Sequence, residues 1–263
     1  MISAEHSQNP ASIRVMTGSR RQGEYGFDGN MTGLLGMTAV AVALLAGAAA
    51  LFVAGFAGAA AVTALAAGAL ATTLGFYLHT TRRGKFLVWA EILDSLRLRG
   101  DERTLDAGCG RGAVLTMTAG HLPRGRATGL DLWTADQSGN GIEAAGRNLA
   151  AEGRRERCEL VTGDMRSMPF PDASFDLIVS SLAIHNIRDF AGRIRAIEEI
   201  ARALAPGGRV AIADLAWTWS YAQRLEALGF TGVKRRRLGW RFWWGPGFPT
   251  TALVTGTKPE VTQ

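Results

Sequence analysis

The sequence predicts an α/β fold, a seven-stranded and mostly parallel sheet with helices on both faces, preceded by two apolar helices. A short β-type run at 103–107 leads into a turn containing Gly108, Gly110 and Gly112, and a helix-compatible segment follows directly. Beyond it, strand and helix patterns alternate, which favours a parallel sheet covered on both faces. Upstream, residues 29–81 contain no Asp, Glu, Lys or Arg. That stretch predicts the apolar helices.

The alternation of apolar and turn-forming residues gives each element an approximate position. We predict strands at 103–107, 126–131, 157–161, 175–181 and 208–214, with a last pair near 231–238 and 251–257. Helices are predicted at 82–98, 111–121, 140–152, 188–204 and 218–228. The chain of 263 residues therefore divides into a flexible segment at 1–28, a helical hairpin at 29–81 and an α/β domain at 82–263. The first segment is polar and aperiodic, so we expect it to be loosely attached.

The uncharged stretch is long enough for two membrane-spanning helices. One such helix needs about 20 apolar residues, and we predict helices at 34–53 and 59–78 with a break at GFAG, residues 55–58. The apolar core of a secretory signal peptide would be only about 7–15 residues long, which disfavours that alternative. A buried helical pair in a soluble protein remains a second alternative, because small residues allow close helix packing in either setting.

Positive charge flanks the hairpin on both sides. Basic residues lie at 20–21 and 82–85, and none lies in the connection between the helices, so the positive-inside rule predicts that both ends are cytoplasmic. We therefore expect a two-helix protein of the cell membrane with a cytoplasmic α/β domain. The net charge of +6 is otherwise mostly scattered arginine, apart from residues 234–237. An anionic lipid surface explains such clusters, so nucleic-acid binding is a minor alternative.

The two cysteines do not indicate a disulfide or a metal site. Cys109 lies in the glycine turn and Cys158 in a predicted strand, and no His, Cys, Asp or Glu cluster accompanies them at ligand spacing. We expect both to be reduced, packed thiols and predict no metal ion.

The glycine turn indicates a nucleotide-type ligand without specifying which one. Glycine allows a tight turn and lets a ligand lie against main-chain N–H groups at a helix N-terminus. Gly108, Gly110 and Ala113 also satisfy the dinucleotide pattern G-x-G-x-x-G/A, so a nicotinamide cofactor remains open at this point.

Four further blocks accompany the turn: GLDLW at 129–133, TGDM at 162–165, PFPDASFDLIVSSLAIHNI at 169–187 and LAPGGRVAIAD at 204–214. In order and spacing, the chain from Arg83 to Pro259 resembles the class I S-adenosylmethionine-dependent methyltransferases of the small-molecule type. The resemblance implies a Rossmann-like sheet, S-adenosyl-L-methionine as cofactor, and methyl transfer to a small or lipophilic acceptor. It does not extend to the hairpin.

The resemblance also implies roles for individual residues. Asp106 would hold the methionine ammonium, Asp131 the ribose hydroxyls and Asp164 the adenine amino group, with apolar neighbours against the ring. The full set of implied cofactor-binding residues is Asp106, Gly108, Cys109, Gly110, Asp131, Leu132, Trp133, Asp164, Met165 and Ser180.

His185 and Asn186 are the candidate catalytic residues, because they follow the fourth strand, where the strand ends of an open α/β sheet face the ligand. His185 could take a proton from an incoming hydroxyl, thiol or amine. Equally, it could only shape the pocket, because a sulfonium carbon is reactive enough for displacement without a base. Ser180, Ser181 and Asp214 are candidates for orienting the substrate.

No long insertion follows the fifth strand, so some other segment must close the substrate side. We expect part of the aromatic stretch GWRFWWGPGF, residues 239–248, to line the substrate entrance. Two other functions remain open: a non-catalytic cofactor-binding sensor or assembly subunit at the membrane, and a nicotinamide-dependent oxidoreductase. The sequence indicates neither the acceptor atom nor the oligomeric state.

Overall fold

A computed structural model describes residues 21–29, 31–134 and 139–260. The remainder of the predicted flexible segment, residues 1–20, lies outside this part of the chain. Two long helices come first, α1 (Met31–Val53) and α2 (Ala57–His79), joined by a tight turn. They form the predicted hairpin. A π-helical turn at Thr80–Gly84 then connects α2 to α3 (Lys85–Leu96) without a break in the helical path.

The α/β domain follows the predicted alternation. Its strands are β1 (Arg103–Ala107), β2 (Arg126–Asp131), β3 (Cys158–Thr162), β4 (Phe175–Ser181), β5 (Leu204–Asp214), β6 (Thr231–Arg237) and β7 (Ala252–Thr257). The helices between them are α4 (Ala113–Gly120), α5 (Ile142–Ala151), α6 (Phe190–Ala203) and α7 (Thr218–Ala227). Each predicted strand and helix is confirmed, with boundaries that move by a few residues.

The seven strands form one sheet in the order β3-β2-β1-β4-β5-β7-β6. All neighbouring pairs from β3 to β5 are parallel, whereas β7 runs antiparallel to both β5 and β6. The strand order reverses between β1 and β4. In open α/β sheets, ligands bind at the carboxyl ends of the strands beside such a reversal.

Apolar side chains cover both faces of the sheet, as expected for buried parallel strands. On one face, Ile178 of β4 and Ile212 of β5 pack with side chains of α6 and α7. On the other face, Leu177 of β4 packs with Trp89 of α3 and Val114 of α4. This alternation fixes which face of β4 each residue occupies.

Residues 21–29 cross the surface of the α/β domain as a strap, so this part of the segment expected to be disordered or loosely attached has defined contacts with the domain. The N–H groups of Gln22 and Gly23 donate to Glu152 Oε1 at 2.9 and 3.0 Å. Asn148 both accepts from the Glu24 N–H, at 2.8 Å, and donates to its carbonyl, at 3.0 Å. The strap is held because polar side chains of α5 satisfy its backbone groups, which compensates for its lack of an apolar pattern.

Candidate active site

One cavity of about 740 Å³ lies at the carboxyl ends of β1, β2 and β4. Its lining includes Asp106 at the end of β1, Asp131 at the end of β2, and Ser181 with His185 beyond β4. Sites for small molecules are usually about 300–1,000 Å³. The cavity is therefore large enough for a nucleoside-sized ligand together with a second molecule.

The glycine turn forms the inner wall of this cavity. Gly108 N and Cys109 N donate to the Leu130 carbonyl at 2.8 and 3.1 Å, which fixes the turn against the end of β2. Gly108 has a φ of 79°, and a Cβ at this position would collide with the Ala183 side chain and lie 2.9 Å from Met165 Cε. Only glycine fits here, so the backbone of the turn can approach a ligand closely.

Asp106 is the most unusual group in the site. Its side chain is buried, and neither carboxylate oxygen has a partner of good hydrogen-bond geometry among the described residues, although the Leu115 backbone N–H favours its ionised form. Burial, reinforced by the negative charge of Asp131, raises the pKa of Asp106 to about 8. An unsatisfied carboxyl group at a cavity wall fits a positively charged ligand group such as an amino-acid ammonium.

Asp131 fixes the local backbone as well as facing the cavity. Its Oδ2 accepts from Gly110 N at 2.8 Å and its Oδ1 from Trp133 N at 2.6 Å. These bonds hold the glycine turn and the end of β2 together. The carboxylate lies at the tip of β2, where a ribose is bound in many nucleotide-binding sheets.

Of the two residues that follow Asp131, Leu132 lines the cavity and Trp133 does not. Leu132, half exposed, lines the cavity. Trp133 is not among the lining residues, because its indole N–H donates to Thr162 Oγ1 at 2.8 Å. The expected contact of Trp133 with the cofactor is therefore not supported, and its ring instead covers the end of β3.

Asp164 and Met165 both line the cavity, as the resemblance implies. Asp164 is already paired with its neighbour Arg166, with Oδ2 to Nη2 at 2.6 Å. The Arg166 hydrogen bond lowers the pKa of Asp164, so this carboxyl group stays ionised. Any adenine contact would share Asp164 with the guanidinium.

Ser180 does not reach the cavity. It is 1% exposed, and its hydroxyl donates to the Ala107 carbonyl at 2.7 Å within the sheet. Its neighbour Ser181 does line the cavity and accepts from the indole N–H of Trp89 at 2.8 Å. Successive residues of a strand point to opposite faces, and the prediction for Ser180 chose the wrong one.

Both cysteines are buried free thiols. Cys109 belongs to the cavity wall. Burial, with the nearby charge of Asp106, raises the pKa of the Cys109 thiol, so it is not a reactive thiolate.

His185 lines the cavity in a one-turn helix, Ile184–Asn186, that follows β4. Its Nδ1 lies 2.5 Å from Asp214 Oδ1, and its backbone N–H donates to Asp214 Oδ2 at 3.0 Å. Asp214, at the end of β5, is 0% exposed. A carboxylate in this position orients the imidazole and favours the tautomer with the proton on Nδ1, which leaves Nε2 as the basic nitrogen. Asn186 lines the cavity beside it.

The outer wall of the cavity comes from segments outside the α/β domain. Asp28 and Gly29 of the strap contribute, as do Gly33, Leu34 and Met37 of α1. These elements close the side that no insertion after β5 covers. Sequence reasoning missed them, because nothing in an apolar helix indicates which turn faces a site.

The aromatic stretch at 239–248 divides as expected. Trp244 and Phe248 line the cavity, whereas Phe242 is fully buried in the core. Trp240 is 61% exposed and stacks on His79 at the end of α2, with ring centroids 5.2 Å apart. The stretch therefore connects the cavity to the base of the hairpin.

Comparison with known proteins finds relatives of the α/β domain. Residues 105–212 match a family model described as a methyltransferase domain. Over 144 residues the chain is 30% identical to the demethylmenaquinone methyltransferase of Listeria monocytogenes, covering 54% of each protein. Over 125 residues it is 33% identical to the methyltransferase GfsG of Streptomyces halstedii, covering 48% of this chain and 42% of that protein. The chain thus spans about half the length of the curated relatives it matches.

Solved structures share the fold. An S-adenosylmethionine-dependent methyltransferase from Aquifex aeolicus superimposes with a TM-score of 0.52 at 17% identity, covering 68% of this chain and 91% of that one. Residues 105–212 thus match a methyltransferase domain, and the sheet has the fold of a solved S-adenosylmethionine-dependent methyltransferase.

Proposed function

We propose that this protein is a membrane-anchored enzyme that transfers a methyl group from S-adenosyl-L-methionine to a small or lipophilic acceptor. The observation that carries the proposal is one cavity lined by the glycine turn, by the buried carboxyl group of Asp106 and by His185, whose imidazole is held by the fully buried Asp214. One end of the cavity suits the cofactor, and the other is free for an acceptor.

Residues of the inner wall would hold the cofactor. Asp106 would pair with its ammonium, the backbone at Gly108 to Gly110 would lie against it, and Asp131 would accept from its ribose. Leu132 and Met165 would contact the adenine, with Asp164 at its edge. When bound, the cofactor supplies a methyl group on a sulfonium, which a nucleophile displaces in line.

The chain's own contribution to the chemistry is alignment and removal of a proton. His185 Nε2 would accept the proton of an acceptor O–H, S–H or N–H, and Asp214 would stabilise the resulting imidazolium. Asn186 would orient the acceptor. Holding nucleophile and carbon in line accounts for most of the expected acceleration, and the base adds to it.

Exposed apolar surface supports membrane anchoring. Helices α1 and α2 have 23 residues each, which corresponds to about 35 Å, enough for a hydrocarbon layer of about 30 Å. Large side chains along them are open, including Leu45 at 56%, Phe52 at 70% and Leu65 at 74%. A soluble buried pair would hide such residues, and so large an apolar surface favours a lipid environment. The basic flanks favour a cytoplasmic methyltransferase domain at 82–263.

Titration calorimetry of the full-length protein in detergent with S-adenosylhomocysteine tests the cofactor half. We expect Asp131→Ala and Asp164→Ala each to weaken binding about tenfold, because each removes a charged hydrogen-bond acceptor. Absence of binding by folded wild-type protein would refute the proposal, as would stronger binding of NAD or NADP.

Cell fractionation tests the membrane anchoring, and turnover assays test the methyl transfer. The protein should sediment with membranes after an alkaline salt wash and require detergent for release. Turnover against thiol, phenol, amine and lipid acceptors separates an enzyme from a subunit that only binds cofactor. Binding of S-adenosylhomocysteine without turnover on any of these would favour the binding subunit.

A further inference from the structure

The outer half of the cavity is more apolar than the inner half that contains Asp106 and Asp131. Apolar side chains make up most of it, from α1, α3, α4 and the aromatic stretch: Leu34, Met37, Trp89, Met117, Trp244 and Phe248. Trp89 contacts Ser181 at the end of β4, and Trp243 of the aromatic stretch packs on Phe76 of α2. A ligand here would be mostly apolar.

One buried ion pair interrupts this apolar wall. Lys85 Nζ of α3 lies 2.7 Å from Asp28 Oδ1 of the strap, and the side chains are only 7% and 17% exposed. Asp28 Oδ2 is buried without a hydrogen-bond partner in the described parts of the chain. An ammonium carries three donors and Asp28 occupies one, so the pair retains capacity for both a donor and an acceptor on a ligand. Buried polar groups in an apolar wall usually fix the orientation of a ligand.

The cavity also reaches the surface that we assign to lipid. Gly33 lines it, and among the described residues no atom beyond its chain neighbours and the nearby backbone of α1 lies within 4 Å of the position that a Cβ on Gly33 would take. Gly33 is itself exposed, as is Gly36 one turn further along the same face of α1. The cavity therefore opens to the outside beside the first turn of α1.

We propose that the acceptor is an amphiphile whose polar head binds beside the Lys85–Asp28 pair and whose apolar tail leaves through the gap at Gly33 into the lipid. This inference rests on the proposed function and specifies its substrate class. It assigns to the first turn of α1 the opening through which the acceptor arrives.

Two glycines of α1 provide a matched test. Gly33→Phe would fill the gap, whereas Gly36→Phe makes the same replacement one turn along, outside the cavity lining and also in open space. Each full-length variant in lipid nanodiscs receives S-adenosylmethionine labelled with tritium on the methyl group. The acceptor is supplied either as an organic or as an aqueous extract of the source cells. Calorimetry with S-adenosylhomocysteine measures cofactor binding separately.

We expect the wild type to label the organic extract. Gly33→Phe should reduce this labelling about tenfold or more, because it blocks alignment of the acceptor, whereas Gly36→Phe should change it less than about twofold. All three proteins should bind S-adenosylhomocysteine equally. Label confined to the aqueous extract would refute the proposal that the acceptor is an amphiphile. Equal labelling by the two variants would refute its entry beside Gly33. Failure of the wild type to bind S-adenosylhomocysteine would instead refute the proposed function. Binding of S-adenosylhomocysteine without label in either extract would refute methyl transfer to an acceptor from these cells.

The ion pair has its own test. Asp28→Asn should raise the apparent KM for the organic extract about tenfold while kcat changes little, since it weakens a charged hydrogen bond to the head. Asp94→Asn is the control, because this carboxylate of α3 is 64% exposed and lies outside the cavity lining. An unchanged KM for Asp28→Asn would exclude the pair from acceptor binding.

Discussion

Cofactor binding should release a proton from Asp106. Because burial raises the pKa of this carboxyl group to about 8, about nine-tenths of the free protein carries the proton at pH 7, where protonated and ionised forms stand at about 10:1. A ligand ammonium beside the group favours the ionised form. Binding of S-adenosylhomocysteine at pH 7 should therefore release about 0.9 proton from Asp106, falling to about 0.1 at pH 9.

Calorimetry in two buffers of different ionisation enthalpy measures this release, because the apparent binding enthalpy changes in proportion to the protons transferred. The Asp106→Asn variant corrects for protons released by the ligand itself. The wild type should exceed the variant by about 0.9 proton at pH 7. Equal release by the two proteins would refute the assignment of Asp106 to the ammonium.

The same group makes the free protein sensitive to pH. The folded pKa of about 8 lies above the unfolded value of 3.8, so the folded state binds the proton more tightly. The free energy of unfolding therefore falls as pH rises from 3.8 to about 8, as far as Asp106 contributes. Chemical denaturation of Asp106→Asn across this range should show a weaker decline.

Three further substitutions test local features. Gly84→Ala should destabilise the protein by about 1–3 kcal/mol in chemical denaturation, because the new Cβ would collide with the Arg241 carbonyl, whereas Gly75→Ala meets open space and should not. Glu152→Ala should accelerate amide hydrogen exchange at Gln22 and Gly23, whose N–H groups it accepts from, and unchanged exchange would contradict these strap contacts. Asp214→Asn should lower turnover about hundredfold with unchanged affinity for S-adenosylhomocysteine, and an equal loss of both would indicate a structural role.

The sequence was most informative where local pattern and global fold agree. The alternation of strands and helices, the glycine turn and the acids at the ends of β1 and β2 were all predicted at or near their positions, because each depends on periodicity or backbone geometry close in sequence. Ser180 and Trp133 failed for a different reason. Ser180 shares the face of β4 that carries Ile178, and spacing alone does not tell which of the two faces meets the cavity. Trp133 follows β2 with a φ of 58°, a backbone conformation that the sequence does not indicate for a tryptophan.

The strap was beyond sequence reasoning. Its contacts join backbone N–H groups of residues 22–24 to Glu152 and Asn148, more than 120 residues away along the chain. Asn148 also donates to the Arg111 carbonyl at 2.9 Å in the glycine turn, so one side chain links the strap to that turn. A single polar residue on α5 gives no sign of either contact.

The helices of the proposed membrane anchor also form part of the cavity wall. An anchor alone would need only apolar length, which α1 and α2 both have. Yet the first turns of α1 also line the cavity, and the last turns of α2 pack on the aromatic stretch, where Phe76 and Trp243 lie 5.0 Å apart. A rotation of either helix would therefore change the wall of the acceptor site as well as the lipid contact. Substitutions that alter how the helices sit in lipid should consequently affect the KM for the acceptor while leaving the cofactor end, held by the sheet, unchanged.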